Sequence, residues 1–516
     1  MAYVLIGFMG AGKSTAAIDI ARAVGVAAID SDALLAERLG HSVAREFELS
    51  GEAAFREKEE ALVLELLASA GPGDVLALGG GSVLSRRVRE QLAGHTTVLL
   101  DVDARTAWER ASRPHAARSR PLARERDSFF ALHAERRGIY EQLADAFLPQ
   151  MPRRAAARAL PGLRALERAG AGTRLIWASS SSGEYPVLVG EGLLAPSADT
   201  DGIWPLDRSA SRSFLVTDAN VAGLYEGRLG ALAGKVRIEP GETNKTLATA
   251  ELVWEALAGA GMTRADHLVA LGGGVVGDLA GFCAATYQRG VPVVQVPTTL
   301  VAQVDSAYGG KTGVDLPRAK NYVGAYHQPA GVIADPAVLS TLPGPELAAG
   351  WAEVIKTALI AGGALWETVC SSGEIDADVI FACARTKIAI VAQDERDGGA
   401  RQLLNLGHTV GHAIETVTGY SRYRHGEAVG LGLLAALRLS GRDDLRMLVS
   451  ELLLARGLPV TMRGVDVDEV VAAISRDKKR TGEAVPFVLV EAPGEVRHGC
   501  ELPASAAREA VAELAA

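Results

Sequence analysis

The run Gly7-Phe8-Met9-Gly10-Ala11-Gly12-Lys13-Ser14 fits G-x-x-x-x-G-K-[ST] at every fixed position. Glycines at this spacing let backbone N–H groups point inward at phosphate oxygens, and a helix opening there adds partial positive charge. Lys13 would neutralise the terminal phosphates of a nucleotide, and the Ser14 hydroxyl would hold Mg²⁺. Four further groups suggest an acceptor for the phosphoryl group. Asp30-Ser31-Asp32 ends the apolar run Val26–Ile29, and Arg56 follows Gly51–Phe55. Gly79-Gly80-Gly81 follows Val75–Leu78, and Arg136 stands four residues before Tyr140. A carboxylate with two arginines suits a small polyol that carries a carboxylate, because the guanidinium fork binds both carboxylate oxygens. Arg120 lies in an arginine-rich stretch between Arg105 and Arg137, which also suits a solvated face.

A second constellation lies far down the chain. His408 and His412 are four apart in a helix-like run and share one face, and His425 precedes another helix. Glu353 and Lys356 share a face of an earlier helix. Catalytic zinc takes three protein ligands from imidazole and carboxylate and keeps an open position. Glu353, His408, His412 and His425 are the candidates, and spacing does not choose between His408 and His412. Upstream, Gly272-Gly-Gly274-Val-Val-Gly277-Asp278 follows the apolar Leu268–Leu271. It matches G-x-G-x-x-G without an acid about 20 residues on, so alone it is weak. Thr298 and Thr299 follow another strand, and Asp305, Lys311, Lys320 and Asn321 crowd the next stretch. That density of polar groups points to a phosphate or polyol site.

The elements that must position these groups alternate between strand and helix. Tyr3–Ile6, Val75–Leu78 and Val98–Val102 read as strands, with helices at Lys13–Val24 and Glu52–Ala70. Alternation implies a parallel sheet covered on both faces. The hinge-like Gly170-Ala171-Gly172 closes this segment. A second α/β pattern follows, with strands at Leu175–Ala178, Pro186–Val189, Phe214–Thr217, His267–Leu271 and Val293–Val296. After about Asp335, Ala/Leu-rich stretches predict a mostly helical region. The expected organisation is therefore 1–168, a linker at 169–173, an α/β domain at 174–335 and a helical metal-binding domain at 336–516.

The length of 516 residues needs about three domains and can bury large cores without disulfides. The four cysteines include no C-x-x-C pair, which removes a zinc ribbon and suits a reducing cytosol. A net charge of −9 argues against broad nucleic-acid binding. No apolar stretch of about 18 uncharged residues exists, and the N-terminus lacks a basic signal region. The expectation is a soluble cytoplasmic protein acting on small molecules.

The N-terminal set resembles shikimate kinase in order and spacing across nearly all of residues 1–165. The resemblance implies that Gly7, Gly10, Gly12, Lys13, Ser14, Thr15 and Asp30 hold ATP and Mg²⁺. It implies that Asp32, Arg56, Arg136 and the backbone of Gly79, Gly80 and Gly81 grip shikimate, and that Arg120 comes from a lid. Asp32 is then the candidate acceptor of the hydroxyl proton. Residues 174–516 resemble 3-dehydroquinate synthase. That implies Glu353, His408 and His425 as zinc (or Co²⁺) ligands and His412 as a phosphate and proton-transfer contact. Catalytic and substrate roles fall to Lys311, Lys356, Arg401 and Asn405, with Arg289, Asp305, Asn321, Lys387, Lys478 and Lys479. NAD⁺ would lie on Gly274, Gly277 and Asp278, beside Asp218, Asn220, Glu242, Lys245, Thr298, Thr299, Lys320, Thr341 and Leu342. The family converts 3-deoxy-arabino-heptulosonate 7-phosphate to 3-dehydroquinate and phosphate, and its synthase half suggests a homodimer.

The chain departs from the two patterns at three places: Ala123 where a Leu is usual, Asp397 where a Glu is usual, and Ser306-Ala307-Tyr308 where Ser-Ser-Val or Ser-Ser-Ile is usual. A buried Tyr308 needs a partner for its hydroxyl. Rival readings of the second half are another sugar-phosphate cyclase or an iron/zinc polyol dehydrogenase. A further rival makes one half a non-catalytic scaffold, although Lys13, Asp32, Glu353 and His425 are all present.

Overall fold

The computed structural model describes residues 1–113, 125–149, 151, 155–317, 319–371, 373–477 and 485–515. The chain divides into two compact units, Met1–Ala178 with Pro186–Leu188, and Ser179–Tyr185 with Val189–Ala516. The division thus falls after the expected 169–173 linker.

In the first unit, strands β1 (Tyr3–Ile6), β2 (Ala28–Asp30), β3 (Val75–Ala77), β4 (Thr96–Asp101), β5 (Ala146–Pro149) and β6 (Arg174–Ser179) run parallel. Their order is β2-β3-β1-β4-β5-β6. All four residues of β1 are buried, which suits a central strand covered on both faces. From β1 the chain builds one flank and then crosses to β4 on the other. Such a switch point opens a crevice beyond the strand ends. The phosphate loop fills that crevice, between β1 and the helix Lys13–Val24. Gly10 takes φ +87°, and a Cβ there would run into the Ala107 carbonyl.

After β7 (Glu184–Val189), the second unit holds β8 (Ser213–Asp218), β9 (Gly234–Ile238), β10 (His267–Gly272), β11 (Val293–Pro297) and β14 (Gly331–Ala334), the last five all parallel. The order β14-β11-β10-β8-β9 places a second switch point between β8 and β10. Phe214, Val216, Val253, Leu257, Leu268, Leu279 and Phe282 fill the core beneath it. The polar stretch after Ser306 forms an antiparallel hairpin, β12 (Lys311–Leu316) with β13 (Ala319–Tyr326). The helical region contains Gly344–Ala361, Ala377–Gln393, His408–Val417 and His425–Leu439. It also contains the hairpin β15 (Val485–Ala492) with β16 (Glu495–Leu502), which the helical reading did not foresee. Among the described residues no helix is long and apolar enough to cross a membrane.

Glycines bring three of these helices into backbone contact. A Cβ on Gly426 would overlap the Ala349 carbonyl, and one on Gly432 the Gly407 carbonyl. Gly411 lies close to Ala428, where a Cβ would come within 3.1 Å of the carbonyl oxygen. The segments that carry Glu353, His408 and His425 therefore approach more closely than side chains would allow.

Two candidate active sites

The first site is a cavity of about 240 Å³ in the first unit, lined by the phosphate loop, Asp30, Asp32, Arg56, Gly80, Gly81 and Arg136. The Lys13 ammonium donates to Gly7 O at 2.8 Å, which curls it over the loop. The Ser14 hydroxyl donates to Asp30. Asp30 also caps the helix Ser31–Leu39, accepting from the backbone N–H groups of Asp32 at 3.0 Å and Ala33 at 3.1 Å. The cap leaves Asp32 on the first turn, facing the cavity. Burial raises its carboxyl to about 6, against the pull of Lys13 and with help from Glu59.

Arg56 is held by Glu59 at 2.5 Å and Glu52 at 3.2 Å. A Cβ on Gly81 would overlap the Arg56 guanidinium, and one on Gly79 would overlap the carboxylates of Glu59 and Asp32. The glycine run thus makes room for charged side chains as well as for backbone contacts. Arg136 is 5% exposed, and its Nε is buried with no hydrogen-bond partner among the described residues. Two residues escaped the sequence reading. Glu59 orients Arg56 one turn away, a signal available from its i,i+3 spacing. Arg110 donates to the Ala11 carbonyl at 3.2 Å, and nothing in its arginine-rich surroundings singles it out. Thr15 lines the cavity, and Arg120 lies outside the described residues.

The second site gathers Glu353, His408 and His425, whose ligand atoms all lie within 4.8 Å of one another. Glu353 Oε1 sits 3.3 Å from His425 Nε2 and 3.5 Å from His408 Nε2. Glu353 is 1% exposed, and neither carboxylate oxygen has a well-angled hydrogen bond among the described residues. One buried carboxylate facing two imidazoles fits a divalent cation such as zinc. Burial resists the charge on His425, yet Glu353 and Glu415 together hold its pKa up to about 9. The pocket therefore asks for positive charge at that position. The His412 ring centroid is 5.1 Å from that of His408, at the open edge of the cluster.

Cations surround the carboxylates. Lys356 Nζ lies 2.5 Å from Glu353 and 3.7 Å from Asp305. Lys387 approaches the Asp305 carboxylate at 3.0 Å, and burial lowers its pKa. Lys311 reaches Asp397 at 2.5 Å, so the shorter Asp397 still finds a partner, with φ at +64°. The Tyr308 hydroxyl is satisfied by Gln303 O at 2.7 Å. Arg401 is 2% exposed and donates to the carbonyls of Glu395 at 2.5 Å and Gly309 at 2.9 Å. Its guanidinium is thus engaged with backbone. Asn405 is half-buried, and Arg289 and Asn321 are exposed at positive φ. Lys478 and Lys479 lie outside the described residues.

Asp218 and Gly274, two of the dinucleotide candidates, flank the second switch point. Asp218 ends β8 and caps the next helix, accepting from Asn220 N at 2.9 Å. Gly274 opens the helix that follows β10, where a Cβ would press on Ser306, and Gly277 lies against Gln295. The buried hydroxyls of Thr217 and Thr298 have no hydrogen-bond partner among the described residues, which fits a polar ligand at these strand ends. Thr299 Oγ1 accepts from Ala302 N, and Thr341 Oγ1 meets the Tyr225 hydroxyl at 2.9 Å beside Leu342. Lys245 pairs with Glu242 at 2.7 Å and Asp278 at 3.2 Å. Lys320 bridges Glu242 and Glu415, 3.2 Å from each. Glu415 was missed by the sequence reading, although its i+3 spacing from His412 places it on the same helical face.

Comparison with known proteins finds three family models along the chain. Shikimate kinase matches residues 9–160, the 3-dehydroquinate synthase N-terminal model residues 235–349, and its C-terminal model residues 350–480. The 3-dehydroquinate synthase of Halorhodospira halophila is 44% identical over 339 residues, covering 62% of this chain and 94% of that protein. That of Symbiobacterium thermophilum is 43% identical, covering 60% and 92%. Among solved structures, the 2-epi-5-epi-valiolone synthase of Streptomyces hygroscopicus with NAD⁺ and Zn²⁺ bound is 25% identical. It covers 65% of this chain and 98% of that one, with a TM-score of 0.58.

Proposed function

Because the chain belongs to the 3-dehydroquinate synthase family and carries a shikimate kinase domain ahead of it, we propose that one polypeptide performs two separate steps of aromatic biosynthesis. The first is ATP-dependent phosphorylation of shikimate to shikimate 3-phosphate. The second is NAD⁺- and zinc-dependent conversion of 3-deoxy-arabino-heptulosonate 7-phosphate to 3-dehydroquinate and phosphate. The observation that supports both is that each unit gathers a charged set of its own, Lys13, Asp32, Arg56 and Arg136 around one cavity and Glu353, His408 and His425 around one point.

In the kinase reading, Lys13, Ser14 and the N–H groups of the phosphate loop hold the nucleotide, with Asp30 supporting the metal through Ser14. ATP with Mg²⁺ supplies the phosphoryl group. Arg136 and Arg56 bind the substrate carboxylate. Asp32 accepts from the attacking hydroxyl, and its raised pKa suits a group that takes up that proton.

In the synthase reading, Glu353, His408 and His425 hold the dication. When bound, zinc supplies Lewis-acid polarisation of substrate hydroxyls and NAD⁺ supplies reversible hydride acceptance. Lys356 and Lys387, fixed on Asp305, place positive charge where an anionic substrate must sit. Lys311 and His412 stand at the more open side, where the phosphate leaves. The dinucleotide lies at the β8/β10 switch point. The enzyme is cytoplasmic in this reading and dimerises through its synthase half.

Two assays test the proposal on the full chain. Lys13→Ala should abolish shikimate phosphorylation and leave phosphate release from the heptulosonate substrate intact. Glu353→Ala should do the reverse. Net NADH accumulation would support a polyol dehydrogenase instead.

A further inference from the structure

Glu415 uses both carboxylate oxygens. Oε2 faces His425 Nδ1 at 3.2 Å, and Oε1 faces Lys320 Nζ at 3.2 Å. The side chain is 3% exposed, so neither contact is a solvated surface pair. With Nδ1–H donating to Glu415, His425 turns Nε2 toward Glu353, 3.3 Å away, so Nε2 is the nitrogen left for a bound cation. The other imidazole of the triad is oriented differently: His408 Nδ1 faces the Leu406 carbonyl at 3.2 Å. Lys320 continues the line, 3.2 Å from Glu242, which pairs with Lys245 at 2.7 Å. Lys245 in turn reaches Asp278 on the helix after β10.

We propose that Glu415 is a positioning residue that fixes the tautomer and ring orientation of His425 and, through Lys320 and Glu242, ties the metal triad to the dinucleotide loop. The inference rests on the synthase reading of this site. A carboxylate behind a metal-bound imidazole sets which nitrogen is free to ligate and raises its basicity. Removing it frees the ring to rotate and costs metal affinity without touching a ligand. Because the same carboxylate neutralises Lys320, its loss also leaves that ammonium paired with Glu242 alone.

The test is Zn²⁺ and Co²⁺ titration of the chelator-stripped full-length protein, with NAD⁺ binding measured in parallel. Glu415→Ala should weaken metal binding about 10–100-fold and change the Co²⁺ absorption spectrum, with melting still cooperative. Glu415→Gln keeps an acceptor for Nδ1–H but no charge, and should recover part of the metal affinity. Lys320→Met should alter NAD⁺ affinity, and the change should be non-additive with Glu415→Gln. Unchanged metal affinity and Co²⁺ spectrum in both Glu415 variants overturn the inference while the synthase reading stands. A wild-type protein that binds neither metal overturns both.

Discussion

Glu353 and Lys356 lie three residues apart on one helix, with Oε2 and Nζ separated by 2.5 Å and both side chains 1% exposed. Each charge is tolerable at that depth only because of the other and of Asp305 behind them. Burial alone would favour the neutral carboxyl, yet Lys356 and His408 hold Glu353 well below the usual range.

Breaking this pair should cost more than replacing it. In chelated protein, Glu353→Gln should lower stability by about 3 kcal/mol, since it leaves the buried Lys356 ammonium only Asp305, 3.7 Å away and shared with Lys387. Adding Lys356→Met should restore most of the loss. Urea denaturation of both variants checks this, and a double variant no more stable than the single one would count against a tightly coupled pair.

The kinase should follow the charge of Asp32. Its carboxyl is raised to about 6, so it is protonated below that value and ionised above it. Shikimate phosphorylation at saturating ATP should therefore rise with pH and level off above about 7, with a midpoint near 6 in kcat/KM. Asp32→Asn should be nearly inactive. A profile flat from pH 5 to 8 would exclude Asp32 as the titrating base.

Gly81 should resist the smallest substitution. Its Cβ position is occupied by the Arg56 guanidinium, so Gly81→Ala must push Arg56 from its place beside Glu59. The KM for shikimate should rise about tenfold or more while the KM for ATP changes little, because the loss is one charge-assisted hydrogen-bonded contact. Steady-state kinetics with each substrate varied decides it.

His267 should give the second unit an acid-sensitive core. Trp204 Nε1 donates to its Nε2 at 3.0 Å, so that nitrogen carries no proton in the fold. Burial, with Arg208 nearby, lowers its pKa to about 4. The unfolded chain takes up this proton below about 6.5 and the folded chain only near 4, so stability falls as pH drops through that window. The whole loss is about 3 kcal/mol. His267→Gln should flatten the slope of stability between pH 6.5 and 4, read by chemical denaturation at several pH values.

The phosphate loop was legible because its chemistry is local. Gly7 to Ser14 are contiguous, and the strand and helix that flank them follow from short-range pattern, with the helix beginning at Lys13 as expected. The zinc candidates were legible as residue types. The choice between His408 and His412 came from family resemblance, and the metal-ligand geometry of Glu353, His408 and His425 is tertiary. The hairpin β12–β13 was not legible, because its residues alternate weakly and carry the charges of a site. Nor was β15–β16, which lies beyond a run of helices and, among the described residues, pairs with no other strand.

Amino-acid order alone thus determined the residue types of both sites and the strand–helix alternation that carries them, since backbone propensity and glycine spacing act over a few residues. The tertiary structure decided what each charge faces. Glu415 became a partner of His425 and Lys320, and the Arg401 guanidinium came to rest on backbone carbonyls, because those contacts join segments up to 95 residues apart, beyond the reach of local pattern.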